Sequence, residues 1–448
     1  KLPQANPKML GYYCDLWGAQ QADRLHASPG LTEVSNHDFF IARRAFFFDL
    51  SVWADEAPVD DPSQPLGADK GEMVEIFKAA YARTNGSAMI HVGGFTPWWF
   101  KYTQDGPGGK NVSKHKGVET EWETMNVIGA YNAFDDGDAC CVGAMANSGF
   151  YQHYPLPDKL RQNSKPTVAS LHARGGLLNR DGSVVAQAYA SFYAGDYDGG
   201  AWLYNQFKSK WDDRIAGAAD CVPIGWAVDG ELSQRFPVIF QYMYSNRGPC
   251  DFFISGDSGA GYLNPTLLLP DPATGRRGDS NVTTSGAAPW IKWNTEWYAK
   301  FDVSFSGFLI NGDAGSLTNA SMEMYRSFSP DGVVVTTNHD PHKSGYEGEN
   351  GGAWSLPGDE GSGPLPVMHH VTDLVNGNKV DTIRSIVMAD RAKPDMQGRP
   401  SFYVLRTILD TARDMQTTAV VAMRNVSDLV FVCPYTMGLL VKCSSSVF

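Results

Sequence analysis

Short β-branched and aromatic runs alternate with amphipathic helical stretches along most of this chain, and that alternation constrains the fold more than any other feature. RAFFFDLSVW (44–53) has the composition of a strand. The stretch after it, GADKGEMVEIFKAAYART (67–84), carries Asp69 and Glu72 in a capping-box pattern and sets Met73, Ile76, Phe77, Ala80 and Tyr81 on one helical face. AMIHVGGF (88–95) then completes a β-α-β unit, and CCVGAMAN (140–147) and PTVASLHA (166–173) are expected to continue the same sheet. From about residue 183 the rhythm restarts with VVAQAYASFYA (184–194), VPIGWAV (222–228), DFFIS (251–255) and DVSFSGFLI (302–310). GVVVTT (332–337), SIVMA (385–389), SFYVLRTI (401–408) and LVFVCPY (429–435) bring the candidate strands of this half to eight. Between them, Leu203, Phe207 and Trp211 share one helical face, as do Leu232, Phe236, Ile239, Phe240 and Met243, with Pro237 as an early kink. With 448 residues the chain exceeds what one core usually holds. The expected architecture is α/β: an N-terminal α/β domain over 1–180, then a TIM-like (β/α)-barrel domain over 181–448. KSGYEGENGGAWSLPGDEGSGPLP (343–366) reads as a long Gly/Pro-rich loop.

Charge and composition narrow the function classes. The net charge is −12 without a basic run, which argues against a nucleic-acid partner. No apolar run approaches the ~20 residues of a membrane span. The chain starts at Lys1 rather than Met, as a mature secreted form would, and sequons occur at Asn85, Asn111, Asn281, Asn319 and Asn425. Its seven cysteines form no C-x-x-C pair, so a zinc ribbon or thioredoxin-like site is not indicated, and together with the sequons they point to an extracellular location with disulfides. The odd count leaves at least one cysteine free or paired outside the chain, and a homo-oligomer or extracellular assembly would suit the second case. Twelve Trp and nineteen Tyr supply flat amphipathic rings suited to sugar faces, once the core and interfaces have taken their share.

Three segments carry acidic or glycine-rich chemistry. FISGDSGAGYLNP (253–265) contains the GDSG frame of trypsin-like proteases, but the α/β pattern and the lack of a matching His motif argue against Ser258 as a nucleophile. The glycines run G-x-x-G-x-G rather than G-x-G-x-x-G, so a dinucleotide cradle is also disfavoured. What remains is a strand emptying into a loop where Gly259 and Gly261 permit positive φ and close backbone approach, with Tyr262 projecting from it. In AGDYDGGAWLY (194–204), Asp196 and Asp198 are two apart, and extended backbone would put both carboxylates on one side. Such a pair could split into a proton donor and an anion, hold a divalent cation, or cap the following helix. In IGWAVDGELSQRFP (224–237), Asp229 lies just past a strand and Glu231 opens a helix. Upstream, Asp49, Asp55, Glu56, His91, Trp98 and Trp99 fall beyond or within strand ends, His91 reading as a core histidine. NHDPH (338–342) and MHH (368–370) match no familiar metal-ligand spacing.

These segments resemble the GxGYxYP family of glycoside hydrolase-like proteins. GAGYLNP (259–265) with DFFISGDS before it, GDYDGGAWLY, and IGWAVDGELSQRFP carry the likeness, and DLSVWADEAPVDDPSQPLGADKG with GGFTPWWFKY is similar to the upstream domain of the group. The resemblance runs from about Asp49 to Tyr435. Two positions depart from it: Asn264 stands where the family name has its second Tyr, and GDYDGG replaces a D-G-D-N version of the acidic segment.

Glycoside hydrolysis needs two carboxyl groups about an oxocarbenium-like transition state. The expected pair is Asp196 or Asp198 with Asp229 or Glu231. Trp202, Trp226 and Tyr262 are the expected stacking rings, and Gly259 and Gly261 one wall of the cleft. Carbohydrate is the expected partner and no cofactor is required. A metal-dependent carbohydrate-modifying enzyme with Asp196 and Asp198 as ligands is the less favoured enzymatic reading. The non-enzymatic alternative is an extracellular glycosylated structural, assembly or carbohydrate-binding protein on a hydrolase-like scaffold.

Overall fold

The computed structural model describes residues 5–12, 37–58, 61–93, 114–115, 117–135, 148–173, 176–214, 221–310, 317–335, 353–358, 363–374 and 377–445. The expected strand at 140–147, Trp98, Trp99, Asn111 and the NHDPH segment lie outside these residues.

The chain is mixed α/β, with two sheets. The smaller one is parallel, in the order β2-β1-β3-β4, from β1 (Met9–Tyr12), β2 (Phe46–Phe48), β3 (Ile90–Gly93) and β4 (Ala133–Asp135). β1 is too short and too weakly β-branched to stand out in the sequence, yet it pairs on both edges. The helix Ala68–Thr84 buries Met73, Ile76, Phe77 and Ala80, the face its periodicity predicts. Its start differs from expectation. Gly67 is the cap residue, in left-handed conformation with no side-chain cap, while the Asp69 carboxylate accepts from the Ser51 N–H at 3.0 Å. His91 on β3 is buried and stacks on Phe134, ring centroids 4.9 Å apart.

The larger sheet is built on β5 (Ala188–Gly195), β6 (Ile224–Ala227), β7 (Asp251–Asp257), β8 (Phe305–Leu309), β9 (Gly332–Val335), β11 (Leu365–Asp373) and β12 (Ser401–Ile408), successive neighbours running parallel. β12 returns to β5 along the full length of both strands, so the sheet curls back on itself. Strands β10 (Ala353–Leu356), antiparallel to β11, and β13 (Leu429–Phe431), parallel to β5, add to its edges. Burial along β5 to β9 is continuous rather than alternating, as expected where both faces of a parallel sheet are covered. One face packs Ala190, Phe192, Trp226 and Phe253 against Leu203, Phe207 and Trp211. The helix Pro434–Ser445 lies against β5, β9, β10 and β11.

Four expectations are corrected. SIVMA (385–389) is not a strand but part of the helix Lys379–Arg391, capped by Asn378, because Ile383 and Val387 repeat at helical spacing and are buried. PTVASLHA does not extend the first sheet; Val168–Ala173 is helical. The stretch 343–366 is not all loop, since β10 lies within it. Pro237 does not kink a helix but opens Pro237–Asn246 at its first position, where a missing N–H costs nothing. No helix among the described residues is long and apolar enough to cross a membrane.

Candidate functional site

Parallel strands bring their carboxyl ends to one rim, and the acidic residues gather there. Asp196 immediately follows β5, Asp229 lies two residues past β6, Asp257 ends β7 and Asp373 ends β11. The register of β12 places Arg406 opposite Tyr193 on one side and Asp373 on the other. Its guanidinium donates to Asp196 Oδ1 at 2.9 Å and to Asp373 Oδ2 at 3.3 Å, and sits 4.8 Å over the Phe308 ring. Burial disfavours the Arg406 cation, but Asp196 and Asp373 more than reverse that and hold it firmly protonated. Asp196 takes left-handed backbone (φ 69°), a conformation Asp tolerates better than most residues. Burial pushes its carboxyl up to about 6, against the pull of Arg406 and with the help of Asp198 and Asp373.

Two other carboxyls of this group are perturbed as well. Burial, the Asp198 charge, a hydrogen bond shared with Asp198 and the Asp229 charge hold Asp257 well above the carboxylate range. Asp229 is fully enclosed and its carboxyl is likewise raised well above, by burial and by Glu231 and Asp198. The Gly256 N–H (2.8 Å) and Ser255 hydroxyl (3.2 Å) donate to Asp229 Oδ1 and oppose the rise. Asp229 stands at the cap position of the turn Gly230–Gln234 but makes no side-chain cap, so capping is not its role. A side chain on Gly256 would meet Asp229 Oδ1 at 2.9 Å and Asp198 Cβ at 3.0 Å, which shows how closely the two acids flank β7.

The small-sheet side contributes the remaining acid. Glu121, on the helix Gly117–Gly129, accepts the phenolic hydrogen of Tyr262. Burial raises its carboxyl to about 7; the Tyr262 bond opposes this, Asp198 reinforces it, Arg406 opposes it and Asp196 reinforces it again. Tyr262 is positioned by a backbone bridge to β4: its N–H donates to the Asp135 carbonyl at 2.7 Å and its carbonyl accepts from the Asp135 N–H at 2.8 Å. The glycines make that approach possible. Gly259 (φ 144°) and Gly261 (φ 120°) adopt conformations closed to most side chains, and a Cβ on Gly261 would lie 2.2 Å from the Phe134 ring. Ser258 is buried, with φ 61°, and its Oγ accepts from the Ile310 N–H at 3.0 Å. It shapes the loop. Asn264, at the departing family position, caps the turn Pro265–Leu268 by accepting from the Thr266 N–H at 3.0 Å.

Asp196, Asp198, Asp229 and Tyr262 thus meet around one site, with Glu231 fully buried behind Asp229. Trp226 does not join them. It is fully buried on the helix-covered face of β6 among Tyr197, Phe207 and Trp211, and its Nε1 donates to Asp251 Oδ1 at 2.9 Å. It is a core residue, not a sugar platform. Trp202 is half-buried on the helix Gly200–Asn205. Four functional-looking residues escaped sequence reasoning. Arg406 was signalled by its charge inside the apolar run SFYVLRTI, and Asp257 lay in plain view within GDSG. Nothing local marked Glu121 or Asp373.

Elsewhere, Asp55, Glu56 and His115 bring one donor atom each within 4.8 Å of one another, the one such metal-type trio among the described residues; Asp196 and Asp198 form none. His115 stacks on Trp53 at 3.4 Å, and Lys114 pairs with Asp55 at 2.5 Å. Cys221 and Cys250 form a disulfide joining the approaches to β6 and β7. Asn85, Asn281, Asn319 and Asn425 are exposed.

A carboxyl-lined rim at the strand ends of a curled parallel sheet sits where α/β proteins of this kind build their sites. More particularly, the model of the family described as "GxGYxYP putative glycoside hydrolase C-terminal domain" matches residues 186–417, and the chain belongs to that family. A solved structure described as a "putative hydrolase" from Bacteroides thetaiotaomicron superposes with a TM-score of 0.55 at 13% identity, covering 98% of this chain and 67% of that one, a likeness of fold. No curated protein sequence matches.

Proposed function

We propose that this chain is a secreted glycoside hydrolase that cleaves a polysaccharide or glycan with carboxyl groups at the rim of the large sheet, on a scaffold we read as a variant of the (β/α) barrel. The observation that carries the proposal is the meeting of Glu121 with the Asp196–Asp198 group beside Tyr262. A carboxyl held near 7 can exist in both protonation states at neutral pH, which is what a glycosidic acid/base requires. In this scheme Glu121 protonates the departing glycosidic oxygen. Asp198, whose orientation Asp257 supports through their shared hydrogen bond, supplies the nucleophile or the water-activating base. Arg406 fixes Asp196 at the rim.

This assignment moves the acid from the originally expected residues. Asp229 and Glu231 are fully buried, whereas Asp196, Asp198 and Asp257 each keep some exposure. Residues 1–180 are proposed as the domain that lends Glu121 to the site. The exposed sequons and the Cys221–Cys250 disulfide support a secreted glycoprotein.

The test is hydrolysis of a panel of glycans and aryl glycosides by the full chain and by Glu121→Gln and Asp198→Asn. Each variant should lose about 100-fold or more in kcat while staying folded. A folded wild-type chain that binds glycan without cleaving any member of the panel would leave the carbohydrate-binding or assembly reading in its place.

A further inference from the structure

Tyr193 lies on β5, on the face opposite Phe192 and Ala194, and packs its ring against Phe308 with centroids 5.5 Å apart. The β5–β12 register sets it beside Arg406, whose guanidinium holds Asp196 and Asp373. Two glycines clear the space for the ring and show where it points. A Cβ on Gly195 would lie 2.5 Å from Tyr193 Cε1 but 3.2 Å from Cδ1, so the ring runs outward along β5 with its far edge beside the residue before Asp196. A Cβ on Gly307 would lie 2.5 Å from Cε2, so the other edge rests on β8 next to Phe308, the register partner of Asp257. The phenol at the tip of the ring is thus aimed at the carboxyls that end β5 and β7. The residue is 2% exposed, yet among the described residues nothing hydrogen-bonds to its phenol oxygen. Other buried tyrosines differ. Tyr244, Tyr298, Tyr325 and Tyr435 each bond to an oxygen of the protein. Tyr197 and Tyr403 also lack a partner, but their oxygens are sealed in the helix-covered core. Burial, then the Asp257 and Asp198 charges, push the Tyr193 phenol well above its ordinary range, so it is an O–H donor and not a nucleophile.

We infer that Tyr193 is a substrate-contacting residue, its phenol donating to a hydroxyl of the sugar unit that is cleaved. The inference rests on the hydrolase reading, whose site it shares. A buried O–H without a partner is costly, and a substrate acceptor removes that cost only when the site is filled. A sugar hydroxyl suits the position because it both accepts and donates: it takes the phenol hydrogen and gives its own to a neighbouring carboxylate. An ammonium or aliphatic group offers the phenol no acceptor, and a ligand carboxylate would meet the acids as a like charge. Tyr193 therefore selects a neutral, hydroxylated sugar at this point of the site.

Rates on the panel of aryl glycosides and glycan oligomers are measured for the full chain and for Tyr193→Phe, together with thermal melts. Monodeoxy forms of the best-cleaved sugar are then compared on both proteins. Expected is a loss of about 10-fold or more in kcat/KM in Tyr193→Phe with an unchanged Tm, because the hydroxyl has no protein partner to lose. One monodeoxy sugar should lose a similar factor with the wild type and no further factor with Tyr193→Phe, as the two halves of one contact do. Wild-type rates in Tyr193→Phe overturn the inference and leave hydrolysis standing, and so do losses that multiply at every deoxy position. A Tm lowered by more than about 2 °C also overturns it, since the phenol would then serve the fold. If the folded wild type cleaves nothing, the hydrolase reading fails, and calorimetry with the same oligomers decides the inference separately. Binding weakened about 10-fold or more in Tyr193→Phe upholds it; equal or undetectable binding by both proteins overturns it.

Discussion

The phenol of Tyr262 donates its hydrogen to a carboxyl oxygen of Glu121, a residue 141 positions upstream on a helix beside the other sheet. This bond ties the glycine loop after β7 to the helix Gly117–Gly129. It also opposes the burial that raises the Glu121 carboxyl, because a donor to a carboxylate favours its charged form.

Tyr262→Phe removes that donor, so the Glu121 carboxyl should rise further above about 7. With Glu121 as the acid, activity is present while the group is protonated and falls as pH climbs through its pKa. The alkaline limb of kcat/KM should therefore move to higher pH in Tyr262→Phe and vanish in Glu121→Gln. Stopped-time assays across pH 5–9 check this, and an unmoved limb in Tyr262→Phe removes Glu121 from the acid role.

Replacing Arg406 by Met takes the cation from between Asp196 and Asp373. Asp196 should then titrate above its present value of about 6, since Arg406 is what holds it down. Two carboxyls left without their cation at a partly open site should cost roughly 2–4 kcal/mol. Urea melts give the stability, and carboxyl NMR titration gives the shift.

Stability should depend on pH through the same acids. Folded Glu121 (about 7) and Asp196 (about 6) lie above the ordinary unfolded carboxyl range, so the folded state holds more protons than the unfolded one between about pH 4 and 7. Their contribution is fully present below the unfolded values and is lost as pH rises through the folded ones. The Tm of the wild type should fall from pH 5 to pH 7.5, and Asp196→Asn should flatten the slope by an amount on the order of 2 °C. Asp55, lowered to about 2 by Lys114 and His115, acts in the opposite sense but only in strong acid.

Trp226→Phe should destabilise without touching substrate affinity. The indole N–H to Asp251 and part of a fully buried ring are lost, at a cost of about 1–3 kcal/mol. An unchanged KM on any cleaved glycan confirms a core role, and a raised KM with normal stability returns the ring to the cleft.

Gly261→Ala tests the loop. Its φ of 120° and a Cβ placed 2.2 Å from the Phe134 ring leave no room for a methyl group, so a loss of roughly 2 kcal/mol or more is expected, with Tyr262 displaced. A melt at wild-type Tm would show that the loop can adopt another path.

Much of the architecture was legible in the chain because periodicity is a local property. The face of Ala68–Thr84, the β5 to β9 strand run and the loop glycines follow from residues within one element of each other. Misreadings arose where local pattern was ambiguous: SIVMA is β-branched in composition but helical in spacing, and β1 is four residues long. Asp196, Asp198 and Asp229 could be named as candidates from strand ends, because a parallel sheet sends such residues to one rim, and Tyr262 from the glycine loop that follows β7. What the sequence could not decide is which side of a strand or helix faces which neighbour. Trp226 and Asp229 lie three residues apart, yet one is walled into the helix-covered core and the other stands behind the acidic rim. Glu121, Asp373 and Arg406 come from distant elements and meet only because two sheets and the β11–β12 register bring them together. Electrostatic identity follows the same rule, since a carboxyl acquires its pKa from burial and from charges that are neighbours in space but not in sequence.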